Sequence, residues 1–134
     1  MPDQTPTERE LEILKILWTE GEASVREVYD EMSRTAPIVQ NTVQAFLRTM
    51  EEKGLVRHRV EGRTFIYLPV PRHEETKKRM VSRVLHRVFD GAMDQLVQSV
   101  LSLRQPTAEE LTRLEAMIEH AKNRTTSGKK GGGK

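Results

Sequence analysis

Residues Val39–Val70 read VQNTVQAFLRTMEEKGLVRHRVEGRTFIYLPV, and this stretch decides the fold. From Gln40 to Lys53 the apolar side chains recur at helical spacing, and Gly54 then offers the left-handed residue that commonly ends a helix. The residues that follow alternate on either side of a turn at Glu61-Gly62-Arg63, which predicts a β-hairpin. A helix with an amide-rich start followed at once by an Arg-bearing hairpin is typical of a winged helix-turn-helix, so we expect DNA binding.

Two further helices are predicted before this stretch. Thr7-Glu8-Arg9-Glu10 and Ser24-Val25-Arg26-Glu27 are both capping boxes, in which the first and fourth residues satisfy each other's backbone N–H groups. They predict helices over about residues 7–20 and 24–33. Ala36-Pro37 breaks the chain before the helix at 40–53, because a residue that precedes proline disfavours the helical conformation. The second and third helices therefore match a helix-turn-helix.

The chain after the hairpin is predicted to be helical. Pro69 and Pro71 prevent extension of the hairpin and indicate a domain boundary near residue 72. Amphipathic stretches follow over about 74–90 and 92–103, and a third capping box at Thr107–Glu110 starts another helix. We expect a mainly α fold with a small β-hairpin, divided into a winged-helix DNA-binding domain (1–72), a helical dimerisation region (73–123) and a disordered basic tail (124–134).

The helical region has apolar stripes with no evident partner in its own chain. Exchange of helices between two subunits would bury them, and a two-fold dimer would place two such DNA-binding domains on an inverted repeat. A compact monomer with the arm folded back is the alternative. The predicted dimerisation residues are Val84, Val88, Met93, Leu96, Val97, Val100, Leu101, Leu111, Leu114 and Ile118.

The start of the third helix carries side chains that can distinguish bases. Asn and Gln pair bidentately with adenine, and a Thr or Ala methyl packs on the thymine methyl. Such residues lie off the apolar stripe of this helix, one turn before an arginine that can reach guanine or phosphate. The alternative is the polar face of a structural helix. The predicted base-reading residues are Gln40, Asn41, Thr42, Gln44, Ala45 and Arg48.

Basic residues concentrate around the hairpin, although the net charge of the chain is only +2. Residues 53–72 include five Lys or Arg and one acidic residue, whereas the first 31 residues hold nine Asp or Glu against three Lys or Arg. We expect the hairpin to contact phosphates, the alternative being an ordinary solvated face. Alternation turns Phe65 and Tyr67 toward the helices, so both are expected in the core. The predicted backbone contacts are Lys53, Arg57, Arg59 and Arg63.

Composition excludes several classes of function. The 134 residues contain no cysteine, so disulfides and thiolate sites are excluded. The four histidines match no metal-ligand spacing, and no nucleophile has a base nearby in sequence, so we expect no metal, no cofactor and no enzymatic activity. No apolar run is long enough for a membrane span, and a cytoplasmic protein is expected. A winged-helix module that binds another protein is the second hypothesis, and a small hydrolase or transferase is the third.

Short motifs follow one another along the chain in a characteristic order. They are Thr7–Leu14 before Leu17-Trp18, Ser24–Val28, Asn41-Thr42-Val43, Glu52–Val56, Gly62-Arg63 before Tyr67, Phe89-Asp90-Gly91, Leu96-Val97 and Glu109-Glu110-Leu111. In this order and spacing the chain resembles the BlaI/MecI/CopY family of penicillinase-type transcriptional repressors. The resemblance implies a homodimeric winged-helix repressor of an inverted-repeat operator. That operator would have a TACA-type half-site core and lie near the protein's own gene or a beta-lactam resistance or related stress operon.

The resemblance also implies base-facing positions for Asn41, Thr42, Gln44 and Ala45. Many relatives carry Lys or Arg in place of Asn41 and Thr in place of Ala45, so a different operator is expected here. Beta-lactam-responsive relatives are cut at an Asn-Phe bond in the dimerisation arm, and the matching bond here is Ser99-Val100, which argues against that cleavage. Copper-responsive relatives use C-terminal cysteines, which this chain lacks. The sequence leaves the inducer or sensor unassigned.

Overall fold

The computed structural model describes residues 5–132, with side chains described for residues 5–126. The helices are α1 (Glu8–Glu20), α2 (Val25–Ser33), α3 (Gln40–Lys53), α4 (His73–Arg87), α5 (Met93–Leu103) and α6 (Ala108–Gly132). The strands are β1 (Ala23–Ser24), β2 (Val56–Glu61) and β3 (Thr64–Pro69). The predicted mainly helical fold with a small hairpin is confirmed. None of the described helices is long and apolar enough to cross a bilayer.

Local signals set the ends of the first three helices. The Glu10 N–H donates to Thr7 Oγ1 at 3.3 Å, and the Thr7 N–H donates to the Glu10 carboxylate at 2.9 Å. Ser24 and Glu27 form the same reciprocal pair at the start of α2. Such caps are each worth about 1 kcal/mol. Gly54 ends α3 with φ of +85°, a backbone conformation that glycine adopts without steric cost.

The sheet has three antiparallel strands in the order β1-β3-β2. Glu61 pairs with Thr64 across the tip of the β2–β3 hairpin, which we call the wing. The short strand β1 was not predicted. Its two residues, Ala23 and Ser24, pair with Tyr67 and Ile66, and two residues are too few to show a period in sequence.

The hydrophobic core lies between α1, α2, α3 and the sheet. Helix–helix and helix–sheet packing removes one apolar stripe of each helix from water, as the 3.6-residue period requires. The buried residues of this core are Ile13, Leu14, Leu17, Ala23, Val28, Met32, Val43, Leu47, Met50, Leu55, Val56 and Tyr67.

The chain divides into two compact units, residues 1–84 and 85–134, so the division falls within α4. Residues 73–84 of α4 belong to the winged-helix unit, in which Thr76 is buried and the His73 ring stacks on Trp18 with 4.4 Å between centroids. The Trp18 indole N–H also donates to the carbonyl of Pro71 at 2.9 Å. This division lies later in the chain than the boundary near residue 72 that the prolines suggest.

The second unit comprises the end of α4 with α5 and α6. Thr107 and Glu110 form a capping box at the start of α6, and Arg104 donates to both Glu110 carboxylate oxygens. Hydrogen bonds from Arg104, and then from Thr107, lower the pKa of Glu110 to about 2. Helix α6 runs to Gly132, through most of the region predicted to be a disordered tail. Residues 133–134 of that tail lie outside the described residues.

A partly buried ion pair joins the start of α1 to the end of α3. Glu10 is only 3% exposed, and Lys53 Nζ lies 2.8 and 2.9 Å from its two carboxylate oxygens. The same carboxylate completes the α1 capping box. Because a buried carboxylate without a cation is costly, this pair ties the last turn of α3 to α1.

Lys53→Met should therefore lower the free energy of unfolding by about 2 kcal/mol, since Glu10 stays buried after its cation is removed. Urea denaturation monitored by circular dichroism measures the change. Lys77→Met is the matched control. Lys77 pairs with Glu74 on the exposed surface of α4, so its removal should change stability by no more than about 0.5 kcal/mol. Equal effects of the two substitutions would contradict the structural role of Lys53.

Candidate nucleic-acid interface

The orientation of α3 follows from its buried side. Val43, Leu47 and Met50 are fully buried, so the opposite side of the helix faces solvent. Asn41, Ala45 and Arg48 lie on that side at spacings of four and three residues, which aligns them in one exposed stripe. The helix thus presents an amide, a methyl and a guanidinium group along one line.

The other predicted base-reading residues flank this stripe. Thr42 lies toward α1, where it borders the same shallow groove as Thr7 and Glu10. Gln44 is exposed one turn after Gln40, which begins the helix. The structure brings all six predicted residues, Gln40, Asn41, Thr42, Gln44, Ala45 and Arg48, to the exposed surface of α3. They form a continuous surface of groups that can pair with base edges.

The four predicted phosphate contacts differ in their surroundings. Lys53 is held by the buried Glu10. Arg59 donates to the Glu22 carboxylate through Nε at 3.2 Å and Nη2 at 2.7 Å, and lies 3.7 Å from Glu61. The hydrogen bond from Arg59 lowers the pKa of Glu22 below its ordinary value.

Arg57 and Arg63 make no ion pair with any described residue, and the same holds for Arg48 on α3. Arg63 follows Gly62 in the turn at the wing tip, where φ of Gly62 is +65°. Its side chain is therefore placed at the end of the hairpin, exposed and without a competing carboxylate. These three cations are the ones best placed to attract phosphate.

The two faces of the wing differ in character. Val56, His58, Val60, Phe65 and Tyr67 share the face that packs toward α3, because side chains alternate along β2 and β3. Val56 and Tyr67 lie in the core, and burial raises the pKa of Tyr67. We call this side the inner face.

The opposite, outer face of the wing carries polar and charged residues near the tip. Arg57 and Arg59 lie there together, as predicted from their spacing, with Glu61 and Thr64 beyond them. Both arginines therefore lie on the side of the wing that faces away from α3. Of the wing cations, Arg63 alone belongs to the tip.

A side-chain contact connects the inner face of the wing to α3. His58 Nδ1 lies 2.8 and 2.9 Å from the two carboxylate oxygens of Glu51, which is in the last turns of α3. The His58 ring stacks on Phe65 with 4.1 Å between centroids and 11° between planes. Phe65 was predicted to be in the core, and this prediction is wrong: its position on the inner face is correct, but it lies beyond the core and is 44% exposed.

Sequence reasoning missed the acidic partners of the site. Glu10, Glu22 and Glu51 each meet a basic residue or histidine of the site, at separations of 43, 37 and 7 residues. An ion pair between distant residues has no periodic signal in one sequence. Within the described residues there is no group of three or more His, Cys, Asp or Glu side chains that could hold a metal ion.

The predicted dimerisation residues lie outside this surface. Val84 is the last residue of the first unit, and the other nine belong to the second. Leu96 and Leu114 are half-buried, whereas the remaining eight are exposed: Val84, Val88, Met93, Val97, Val100, Leu101, Leu111 and Ile118.

Comparisons with known proteins agree on one family. The family model described as penicillinase repressor matches residues 6–120. The penicillinase repressor of Bacillus licheniformis is 30% identical over 118 residues, which cover 88% of this chain and 92% of the relative. The solution structure of the DNA binding domain of the repressor BlaI is similar at a TM-score of 0.50 and 30% identity, over 56% of this chain and 93% of that chain.

Proposed function

Because the chain belongs to the penicillinase repressor family, and is therefore a DNA-binding transcriptional repressor and not an enzyme, we propose that it binds an inverted-repeat operator as a homodimer. One α3 would enter the major groove of each half-site, and the second units of the two chains would hold the subunits together. The observation that carries this proposal is the exposed apolar surface of the second unit.

No side chain described between residues 85 and 126 is buried. Val88 is 66% and Met93 is 65% exposed, and the apolar stripe of α5 continues through Val97 and Val100. Monomeric proteins rarely expose a contiguous apolar surface of this kind. A second copy with the same stripe would bury it across a two-fold axis.

An open apolar groove supports the same arrangement. It lies between α5 and α6, has a volume of about 490 Å³, and is lined by residues that include Val100, Leu101, Leu114 and Met117. Three of these four residues are predicted dimerisation residues. An apolar helix face of the partner, inserted here, would complete a helix–helix core that one chain does not form alone.

The exposed stripe of α3 suits direct readout of bases. An α-helix fits the major groove, where each base pair presents its own pattern of donors and acceptors. Asn41 can form two hydrogen bonds with adenine, and Ala45 can pack on a thymine methyl. A two-fold dimer would place the two helices about 34 Å apart, one turn of DNA, so the operator should read as an inverted repeat.

Among the cations, we propose that Arg57 and Arg63 neutralise phosphates, with Arg48 at the edge of the groove. Lys53 and Arg59 already have carboxylate partners, so a phosphate would have to displace Glu10 or Glu22. The buried position of Glu10 makes its exchange costly. In this assignment Lys53 and Arg59 hold α3 and the wing in place.

Selection of bound duplexes from a random-sequence pool tests the proposed operator. We expect the wild-type protein to recover inverted repeats, and sedimentation of the complex to give two subunits per duplex. Asn41→Ala should recover inverted repeats that differ at one symmetric position in each half-site, with a loss of about 1–3 kcal/mol per half-site on the wild-type operator. Recovery of sequences without two-fold symmetry would contradict the dimer on DNA, and an unchanged preference for Asn41→Ala would contradict base reading by Asn41.

The salt dependence of operator affinity tests the assignment of cations. Each phosphate contact contributes about 0.9 to the slope of log affinity against log salt, so Arg63→Gln should reduce the slope of a dimer by about 1.8. Arg57→Gln should act similarly. Arg59→Gln is the matched control, because its charge is already paired with Glu22, and it should leave the slope unchanged. A slope that falls equally for Arg59→Gln would make Arg59 a phosphate contact.

Leu96→Asp and Leu114→Asp should each give monomers, because a carboxylate would enter the apolar surface that the partner covers. Sedimentation equilibrium measures the mass, and fluorescence anisotropy on the selected operator should show much weaker binding. Gln95→Asp adds the same carboxylate to an exposed polar position of α5 and should remain dimeric. A dimeric mass for both leucine variants would contradict the proposed interface.

A further inference from the structure

The inner face of the wing continues past the core as an exposed apolar surface. Near the base of the hairpin this face is buried through Val56 and Tyr67. Toward the tip the cross-strand pair Val60 and Phe65 follows on the same face, with exposures of 58% and 44%. The outer face at the same level is polar, with Glu61 and Thr64. Folding alone does not account for this distribution, since an exposed position would ordinarily be polar.

The Phe65 ring is also held in a defined orientation. It stacks on His58 with 4.1 Å between ring centroids, and His58 is in contact with the carboxylate of Glu51 on α3 at 2.8 Å. The ring is therefore connected through two contacts to the helix that is proposed to read bases. An aromatic group presented in this way binds with little loss of conformational entropy.

We propose that Val60 and Phe65 form an apolar contact with deoxyribose rings of the DNA strand that borders the groove occupied by α3. This inference rests on the proposed function and assigns the inner face of the wing to it. The sugar is the apolar part of the DNA backbone, and it lies between the phosphates that Arg63 at the wing tip would grip. Phosphate and sugar contacts of this kind set the register of a protein on its site.

Charge favours DNA over a second copy of the chain as the occupant. Arg63 lies at the same tip and makes no ion pair with the described residues, and Arg48 on α3 is likewise unpaired. A two-fold contact between two wings would bring these like charges together, which is unfavourable. The anionic strand would neutralise the same charges while covering the apolar pair.

Affinity for the selected operator tests this contact through three variants. Phe65→Ala should weaken binding about tenfold at every salt concentration, with an unchanged salt slope, because the lost contact is apolar and carries no charge. Phe65→Tyr keeps the ring and should bind like the wild type. Thr64→Ala is the matched control on the adjacent exposed position of the outer face and should also bind like the wild type. Wild-type affinity for Phe65→Ala, or a reduced salt slope, would overturn the proposal.

Photocrosslinking gives a second measurement that does not remove the ring. A photoreactive benzoylphenylalanine at position 65 should crosslink to the operator, whereas the same residue at position 64 should not. Equal crosslinking from both positions would overturn the inner-face assignment. A monomeric mass for Phe65→Ala would overturn it as well, because it would show that this face binds a second copy of the chain. If the wild-type protein bound no duplex, the proposed function itself would fail. Tight wild-type binding without crosslinking from position 65 would defeat only this inference.

Discussion

Burial of one side of α3 is the constraint on which the DNA-binding surface depends. Val43, Leu47 and Met50 pack into the core with α1, α2 and the sheet, so the helix cannot rotate without exposing them. The side chains left for DNA are then determined by helical geometry alone. Removal of this stripe from water stabilises the fold. The same packing leaves Asn41, Ala45 and Arg48 on the side of α3 that faces solvent.

Acidic residues around α3 divide the basic ones into two groups. Glu10 and Glu22 pair with Lys53 and Arg59, while Arg63 at the wing tip has no carboxylate partner among the described residues. A partly buried pair such as Glu10 with Lys53 is screened much less by salt than an exposed one. The unpaired arginines should respond to salt in the opposite way, since the attraction to phosphate that we propose for them is long-ranged and screened. In this proposal, charge that maintains the fold is separate from charge that attracts DNA.

The sequence predicts the parts of this structure that depend on neighbouring residues. Capping boxes at Thr7 and Ser24, the glycine at position 54 and the turn at Gly62 locate the elements to within a residue or two. Contacts between residues far apart in sequence were not predictable in the same way. Strand β1 exists only because Ala23 and Ser24 meet β3, and the partners of Lys53 and Arg59 lie 43 and 37 residues away. For Phe65, alternation gave the correct face, but whether that face is covered depends on how far the hairpin extends beyond the core.

The division into two units bears on how a small surface can bind an operator selectively. Six side chains on α3 supply few base contacts, and each good pair discriminates by only about 1–3 kcal/mol. In the proposed dimer, binding to the second half-site is intramolecular, so the discrimination of both halves contributes to one binding event. On this proposal the exposed apolar stripe of α5 is as important for operator affinity as the residues proposed to read bases. Ser99 and Val100 lie within this helix, so in the proposed dimer an event that opened α5 there would separate the two half-site contacts.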